Sequence, residues 1–437
     1  MTSQHSDKIP PEFRQWIFFL CRAIPIRSTL TFIELLLGAL LSQNGFVTEA
    51  YSSIAMRNHW TSYYKWLQNG KWSWLALSRQ FLRLLISVLQ NDVVHLAIDD
   101  TLTLRSSRKA PSSQIHHQHG NKPNLSQYVR GQCWVSLALI GKRRNGDAVA
   151  LPLLSRLTPS AGNQGKLRAA KTLIRSVLSL LKQAKVRVLV DSWYMRQSFV
   201  ETMLARGFHV IGQVRIDTRL YDLPAARQAS QKGRPRKYGD KWTPKRLAHV
   251  KKKQVSLTLY GKVQPVCYYS KIVKARFING REVRAVWAQL QNNQGEWKPL
   301  RLFLSTDATL TAEQVLESYG LRWSIETLFN QLKLHWGLKE AWQQTRQTLH
   351  RWVHITMVGY GLLQLLTCVK SDHVEQLCQC SPWRTKNTIT AGQIRKGLSR
   401  ILLHVSVQSW LGVTCQKIKV DRDALYNASD GKTRSAE

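Results

Sequence analysis

Hydrophobic positions recur at two different periods along this chain, and each change of period marks a section. From about Pro11 to Gln90 the period is helical: Phe32, Leu35, Leu36 and Ala39 share one spacing, and Phe81, Leu84, Leu85 and Val88 repeat it. This predicts a separate helical domain over about residues 1–90, with DNA binding as its expected role. Its segment His59-Trp60-Thr61-Ser62-Tyr63-Tyr64-Lys65-Trp66 could stack on DNA, although aromatics at this spacing more often form a core. The pattern then turns to strands. Val93-Val94-His95-Leu96-Ala97-Ile98 is a short β run ending in Asp99-Asp100-Thr101. After a polar loop, Cys133 to Ile140 and Ala148 to Leu154 are two more, linked by a turn from Gly141 to Gly146. A helix over about Lys166 to Lys185 follows, then the strand Val186 to Val190 ending at Asp191, a helix over about Arg196 to Arg206, and the strand His209 to Val214. Three strands followed by alternating helix and strand predict a mixed α/β layer.

From about Asp217 to Asp307 helical periodicity disappears. Alternating runs such as Val255 to Tyr260 and Val283 to Ala288 are separated by turn signals at Asn279-Gly280 and Asn293-Gln294-Gly295, which predicts a β-rich insertion over about residues 217–307. A long helix bearing Glu326 comes next, over a section of about residues 308–345. A second helical region, about residues 346–437, ends in a polar tail from Asp421 that is expected to be disordered. The longest apolar stretch, Trp352 to Val369, carries His354, Gln364 and two Gly, and is closed by Lys370 and Asp372; a buried helix fits it better than a membrane span.

Charge changes the picture more than composition does. With 437 residues, two to four structural units are expected. Sixty-four Lys and Arg against 26 Asp and Glu leave +38, which points to nucleic acid. A membrane surface is the rival partner, but the basic residues are spread along the whole chain instead of flanking an apolar anchor. The first twenty residues contain Asp7, Glu12 and Arg14 and no secretory pattern, so the expected compartment is the cytoplasm. Seven Cys at irregular spacing fit reduced thiols. Cys378 and Cys380 with His373 make a poor tetrahedral zinc set.

Candidate chemistry gathers on the helix of Glu326. On a wheel started at Tyr319, Arg322 falls at roughly 300°, Glu326 at roughly 340° and Lys333 at roughly 320°, while Ile325, Leu328, Leu321 and Leu332 lie opposite. Any single pair here could be a solvated i,i+4 ion pair. A carboxylate bracketed by two cations and a Tyr better suits a metal beside phosphates. Further carboxylates are then required. Asp99 or Asp100 ends the first strand and Asp191 ends the fourth, so neighbouring strands would bring both acids to one edge of the sheet. An all-carboxylate set favours Mg²⁺ or Mn²⁺, and paired ions about 4 Å apart can clamp both sides of a phosphoryl displacement.

The spacing Tyr319-x2-Arg322-x3-Glu326-x6-Lys333 resembles the YREK signature of bacterial insertion-sequence transposases with a DDE site. Asp-Asp-Thr at 99–101 resembles the first-Asp motif of that family, and Val-Leu-Val-Asp at 188–191 the second. The resemblance covers about residues 90 to 345. It implies an α/β fold whose RNase H-like mixed-sheet core occupies about residues 91–216 and 308–345, interrupted by the β-rich insertion and flanked by helical regions. It also implies a cut-and-paste reaction on double-stranded DNA with Mg²⁺ or Mn²⁺, two ions being expected. Hydrolysis at the transposon end would be followed by attack of the freed 3′-OH on target DNA. Asp100, Asp191 and Glu326 become the expected catalytic metal ligands, and Tyr319, Arg322 and Lys333 hold phosphates near the cut end. Similarity to family members favours Asp100, whereas the equal strand-end placement of Asp99 and Asp191 favours Asp99. Synapsis of two ends implies a homodimer. A nuclease that cuts without joining, and an inactive DNA-binding relic, are the alternatives.

Lys232-Gly233-Arg234-Pro235-Arg236-Lys237 resembles the core of an AT-hook, with Arg234 and Arg236 laid along a minor groove; a basic loop gripping any phosphate backbone is the plainer alternative. Trp287 or Trp297 could stack on an exposed base, though strand aromatics usually pack. His116, His117 and His119 could suggest a metal site, but neutral loop histidines near DNA fit better.

Overall fold

The N-terminal helical period resolves into α1 (Pro11–Cys21), α2 (Thr29–Leu41), α3 (Val47–Ser53), α4 (Trp60–Asn69) and α5 (Trp74–Leu89). Strands and helices then alternate: β1 (Val93–Leu104), β2 (Gln114–His117), β3 (Tyr128–Lys142), β4 (Ala148–Leu157), α6 (Asn163–Val177), β5 (Lys185–Val190), α7 (Gln197–Leu204) and β6 (His209–Val214). The β-rich section holds β7 (Leu220–Tyr221), α8 (Pro244–Ala248), β8 (Lys253–Leu259), β9 (Lys262–Ala275), β10 (Arg281–Leu290) and β11 (Arg301–Ser305). It is followed by α9 (Ala312–Leu321), α10 (Ser324–His335), α11 (Arg346–Leu366), α12 (Asp372–Cys378), α13 (Ala391–Leu402) and α14 (Val407–Leu411). The structure, a computed structural model, describes residues 9–42, 44–117, 124–158, 163–226, 233–292, 294–379 and 388–411. Asp7, His119, Lys232, Asn293, Cys380 and the tail from Asp421 lie outside the described residues.

The chain divides into two units: residues 1–91, 100–180 and 327–437 form one, and residues 92–99 and 181–326 the other. The centre of the first unit is α11, buried on every side from Thr348 to Leu366 and packed against α2, α4, α5 and β4. A helix apolar all round must be enclosed by other elements. Among the described residues no helix is long and apolar enough to cross a membrane. The polar groups of α11 are matched inside this core. Arg351 donates to the carbonyls of Leu67 (2.8 Å), Gln68 (3.2 Å), Gly70 (2.6 Å) and Trp72 (2.6 Å), neutralising the orphan carbonyls at the C-terminal end of α4. His354 accepts from the Ser155 amide at 3.2 Å, and burial pushes it down to about 4. In the aromatic segment Tyr63 is core and donates to buried Glu34 at 2.8 Å, Trp66 stacks on Trp72, and Trp60 stays exposed.

Within this unit β3 pairs with β1, and also with β2 over Tyr128–Gly131 and with β4 over Trp134–Lys142. The strand β2 carries His116 and His117; its polar run gave no strand signal in the sequence.

In the second unit β1, β5 and β6 run parallel, with Ile98 beside Val190 and Val190 beside Gly212. Val188, Leu189 and Val190 are wholly buried, as strands covered on both faces require. The β-rich section continues this sheet: β11 lies antiparallel on β6, β10 on β11 and β9 on β10, with β7 and β8 on β9. Trp287 is packed against Trp242 and Tyr269, so it is a core residue, whereas Trp297 is exposed. The element order, four strands and then helix, parallel strand, helix and parallel strand, makes this a mixed α/β protein with an RNase H-like sheet.

Candidate active site

β1 does not end at the acidic pair as its apolar run suggested. It continues to Leu104 because Thr101, Leu102, Thr103 and Leu104 keep the β-branched, alternating character of a strand. Asp99 and Asp100 therefore stand inside a strand and point to opposite faces. Register decides which of them meets Asp191. Ile98 is the partner of Val190 on parallel β5, so Asp99 and Asp191 are the next residues of the two aligned chains.

The long helix expected around Glu326 is two helices. α9 opens with a capping box between Thr311 and Gln314 and ends at Leu321. At Arg322 and Trp323 the backbone tightens, with Arg322 N bonded to Tyr319 O and Trp323 N to Gly320 O, before α10 starts at Ser324. The grouping of the polar face survives this break. Arg322 donates through one terminal nitrogen to Asp99 Oδ2 at 3.0 Å and through the other to Glu326 Oε1 at 2.6 Å. Its guanidinium carbon lies 5.5 Å from the centre of the Tyr319 ring. Tyr319 is buried on Phe303 of β11 with ring centres 4.8 Å apart.

Burial works against the charge of Arg322, but Tyr319, Asp99 and Glu326 outweigh it and hold the guanidinium more firmly protonated than in water. Burial also raises the Tyr319 hydroxyl, so it is a neutral hydrogen-bonding group at physiological pH. Asp191 Oδ1 accepts from the amides of Trp193 (3.0 Å) and Tyr194 (3.2 Å), which fixes the carboxylate as the chain leaves β5.

Other residues singled out from the sequence lie elsewhere. Asp100, the acid favoured by family similarity, belongs to the first unit; its Oδ2 is 2.7 Å from Lys166 Nζ and 3.5 Å from Cys133 Sγ. Lys333 is half-buried two turns beyond Glu326 on α10 and also falls in the first unit. Arg234 and Arg236 are exposed in the loop between β7 and α8, after a turn in which Gly233 takes φ +93°. Sequence reasoning missed Lys166, whose contact with Asp100 joins a helix to a strand and leaves no mark in local spacing.

Among the described residues no three Asp, Glu, His or Cys side chains stand together as a metal-binding cluster. The donor chemistry of Asp99, Asp191 and Glu326 still fits a hard divalent cation, being all carboxylate oxygen. Arg322 spanning Asp99 and Glu326 marks a point where these acids already accommodate positive charge.

An RNase H-like sheet with acids on its first strand and after its second parallel strand, together with a glutamate on a following helix, defines a class of nucleic-acid-cutting enzymes. A profile of the DDE superfamily endonucleases matches residues 25–271, more than half of the chain, and the chain belongs to that family. The matched span contains Asp99, Asp100 and Asp191 and ends before Glu326. None of the curated proteins matches the chain.

Proposed function

We propose that the chain is a transposase that binds transposon ends, hydrolyses a phosphodiester there and joins the freed 3′-OH to target DNA. Asp99, Asp191 and Glu326 are its catalytic carboxylates and would hold Mg²⁺ or Mn²⁺, in two ions by family likeness. The observation that carries this reading is the convergence on Arg322 of Asp99 and Glu326, with Asp99 in register beside Asp191. The same observation favours Asp99 over Asp100, whose carboxylate is engaged by Lys166. When bound, a divalent cation supplies positive charge against the phosphoryl oxygens and lowers the pKa of the attacking water. The chain's own groups do the rest. Arg322 stays charged and Tyr319 neutral, so both can donate to phosphate oxygens near the cut, and Lys333 is assigned the same role from its motif position. Arg234 and Arg236 grip the duplex backbone, in keeping with their exposure and the charge of +38. Two copies would bring two ends together.

The discriminating experiment supplies a pre-cleaved transposon end, target DNA and Mg²⁺. Products joined to target are expected. Hydrolysis without joining would reduce the protein to a nuclease, and binding without either would make it an inactive relic.

A further inference from the structure

A second site lies in the first unit, built from the end of β1, the start of β3 and the segment that precedes α11. It is a cleft of about 510 Å³, within the size range of pockets that take a small ligand. Two aromatic residues on its wall, Tyr128 and Trp342, are among the most exposed large side chains of the protein, at 61% and 62%. Trp342 is not loose. Its indole N–H donates to Lys339 O at 2.8 Å and Phe46 meets its ring edge-on at 5.9 Å, so it is held in one orientation. Arg105 closes one side rigidly, donating to Gln132 Oε1 and to the carbonyls of Leu104, Lys339 and Ala341. Arg130 also lines the cleft and has no acidic partner among the described residues. Among the described residues no donor reaches the buried Oε1 of Gln343, which is costly unless a ligand supplies one.

We propose that this cleft binds one unpaired deoxynucleotide of a DNA substrate. The aromatic rings receive the base, Arg130 meets a phosphate, and Gln343 Oε1 accepts from an exocyclic amine. A purely apolar ligand would leave Gln343 unsatisfied and Arg130 unused, and paired bases would not offer a face to the rings. The DNA origin of the nucleotide rests on the proposed function; the nucleotide chemistry rests on the cleft alone. Thymine alone of the four bases has no exocyclic amine, so adenine, cytosine and guanine are preferred over it.

The test uses the full-length protein with labelled duplexes that are blunt or carry a short single-stranded overhang, and separately with deoxyadenosine monophosphate. The wild type is expected to bind overhang DNA about tenfold more tightly than blunt DNA. Trp342→Ala and Arg130→Ala should each remove that advantage and leave blunt-duplex binding within about twofold, while Gln343→Leu should remove the preference for adenine over thymine in the overhang. Equal wild-type affinity for the two duplexes, or variants that weaken both alike, would overturn the proposal while leaving the DNA reading intact. Failure to bind either duplex would sink the DNA reading, and the mononucleotide then decides the cleft: binding lost in Trp342→Ala supports it, and no binding refutes it.

Discussion

Replacing Asp99 and Asp100 separately by Asn removes one charge from each of two adjacent positions on β1, and their surroundings dictate opposite outcomes for cleavage. Asp100 pairs with Lys166 at 2.7 Å, and the two side chains are 19% and 21% exposed. A charge-assisted bond with that access to solvent contributes about 1–2 kcal/mol, so Asp100→Asn should lower Tm by about 2–3 °C and leave cleavage within about threefold of wild type. Asp99→Asn weakens a pair with Arg322 that is less exposed still, so it should cost a similar amount of stability, about 1–2 kcal/mol, but it also removes a proposed metal ligand. Loss of such a ligand should slow cutting by about 10³-fold or more, equivalent to about 4 kcal/mol of barrier. The assay is single-turnover cleavage of a labelled transposon end in Mg²⁺ or Mn²⁺, with circular-dichroism melts on the same preparations. Normal cutting by Asp99→Asn together with loss of cutting in a well-folded Asp100→Asn would refute the register argument and restore the family-based choice.

Two further outcomes follow from the core of the first unit. Arg351→Ala strands the carbonyls of Leu67, Gln68, Gly70 and Trp72 and should cost about 3–5 kcal/mol; a change in Tm below about 2 °C would contradict the capping role. His354 is held neutral with its pKa lowered to about 4 from 6.5, so the unfolded chain binds the extra proton first. Its contribution is therefore intact above pH 6.5 and lost as pH falls toward 4, amounting to about 3 kcal/mol, and His350, lowered to about 2 by burial and by His354, acts in the same direction. Urea melts of the wild type between pH 7 and 5 should show this decline and His354→Gln a shallower one; identical slopes would show that the decline lies elsewhere.

Much of the second unit's parallel core was legible, because Val93 to Ile98 and Val186 to Val190 are short, mostly apolar runs, each interrupted by one polar residue (His95, Arg187) and closed by acids. What those runs lack is register. Nothing local in either tells that Ile98 lies beside Val190, and one residue of slip exchanges Asp99 for Asp100. The polar face of the Glu326 helix was legible for a reason that outlasts the helix break: Arg322 and Glu326 remain four residues apart, across a single tightened turn. The break itself left no proline or glycine pair at Arg322-Trp323 to announce it. The alternating runs after Asp217 announced strands, but their continuation of the core sheet through β11 and β6 depends on edge pairing that pattern alone does not encode. For α11, apolarity on all sides announced burial, whereas its neighbours α2, α4, α5 and β4 come from distant parts of the chain.

If the protein cuts DNA with carboxylates that include Glu326, that residue is indispensable to cleavage and dispensable to binding. Cleavage and binding of a transposon-end duplex by Glu326→Gln in Mg²⁺ separate the two. Cleavage should fall by at least about 10³-fold with end binding held within about threefold. Cleavage at the wild-type rate by that variant would rule out Glu326 as a catalytic carboxylate.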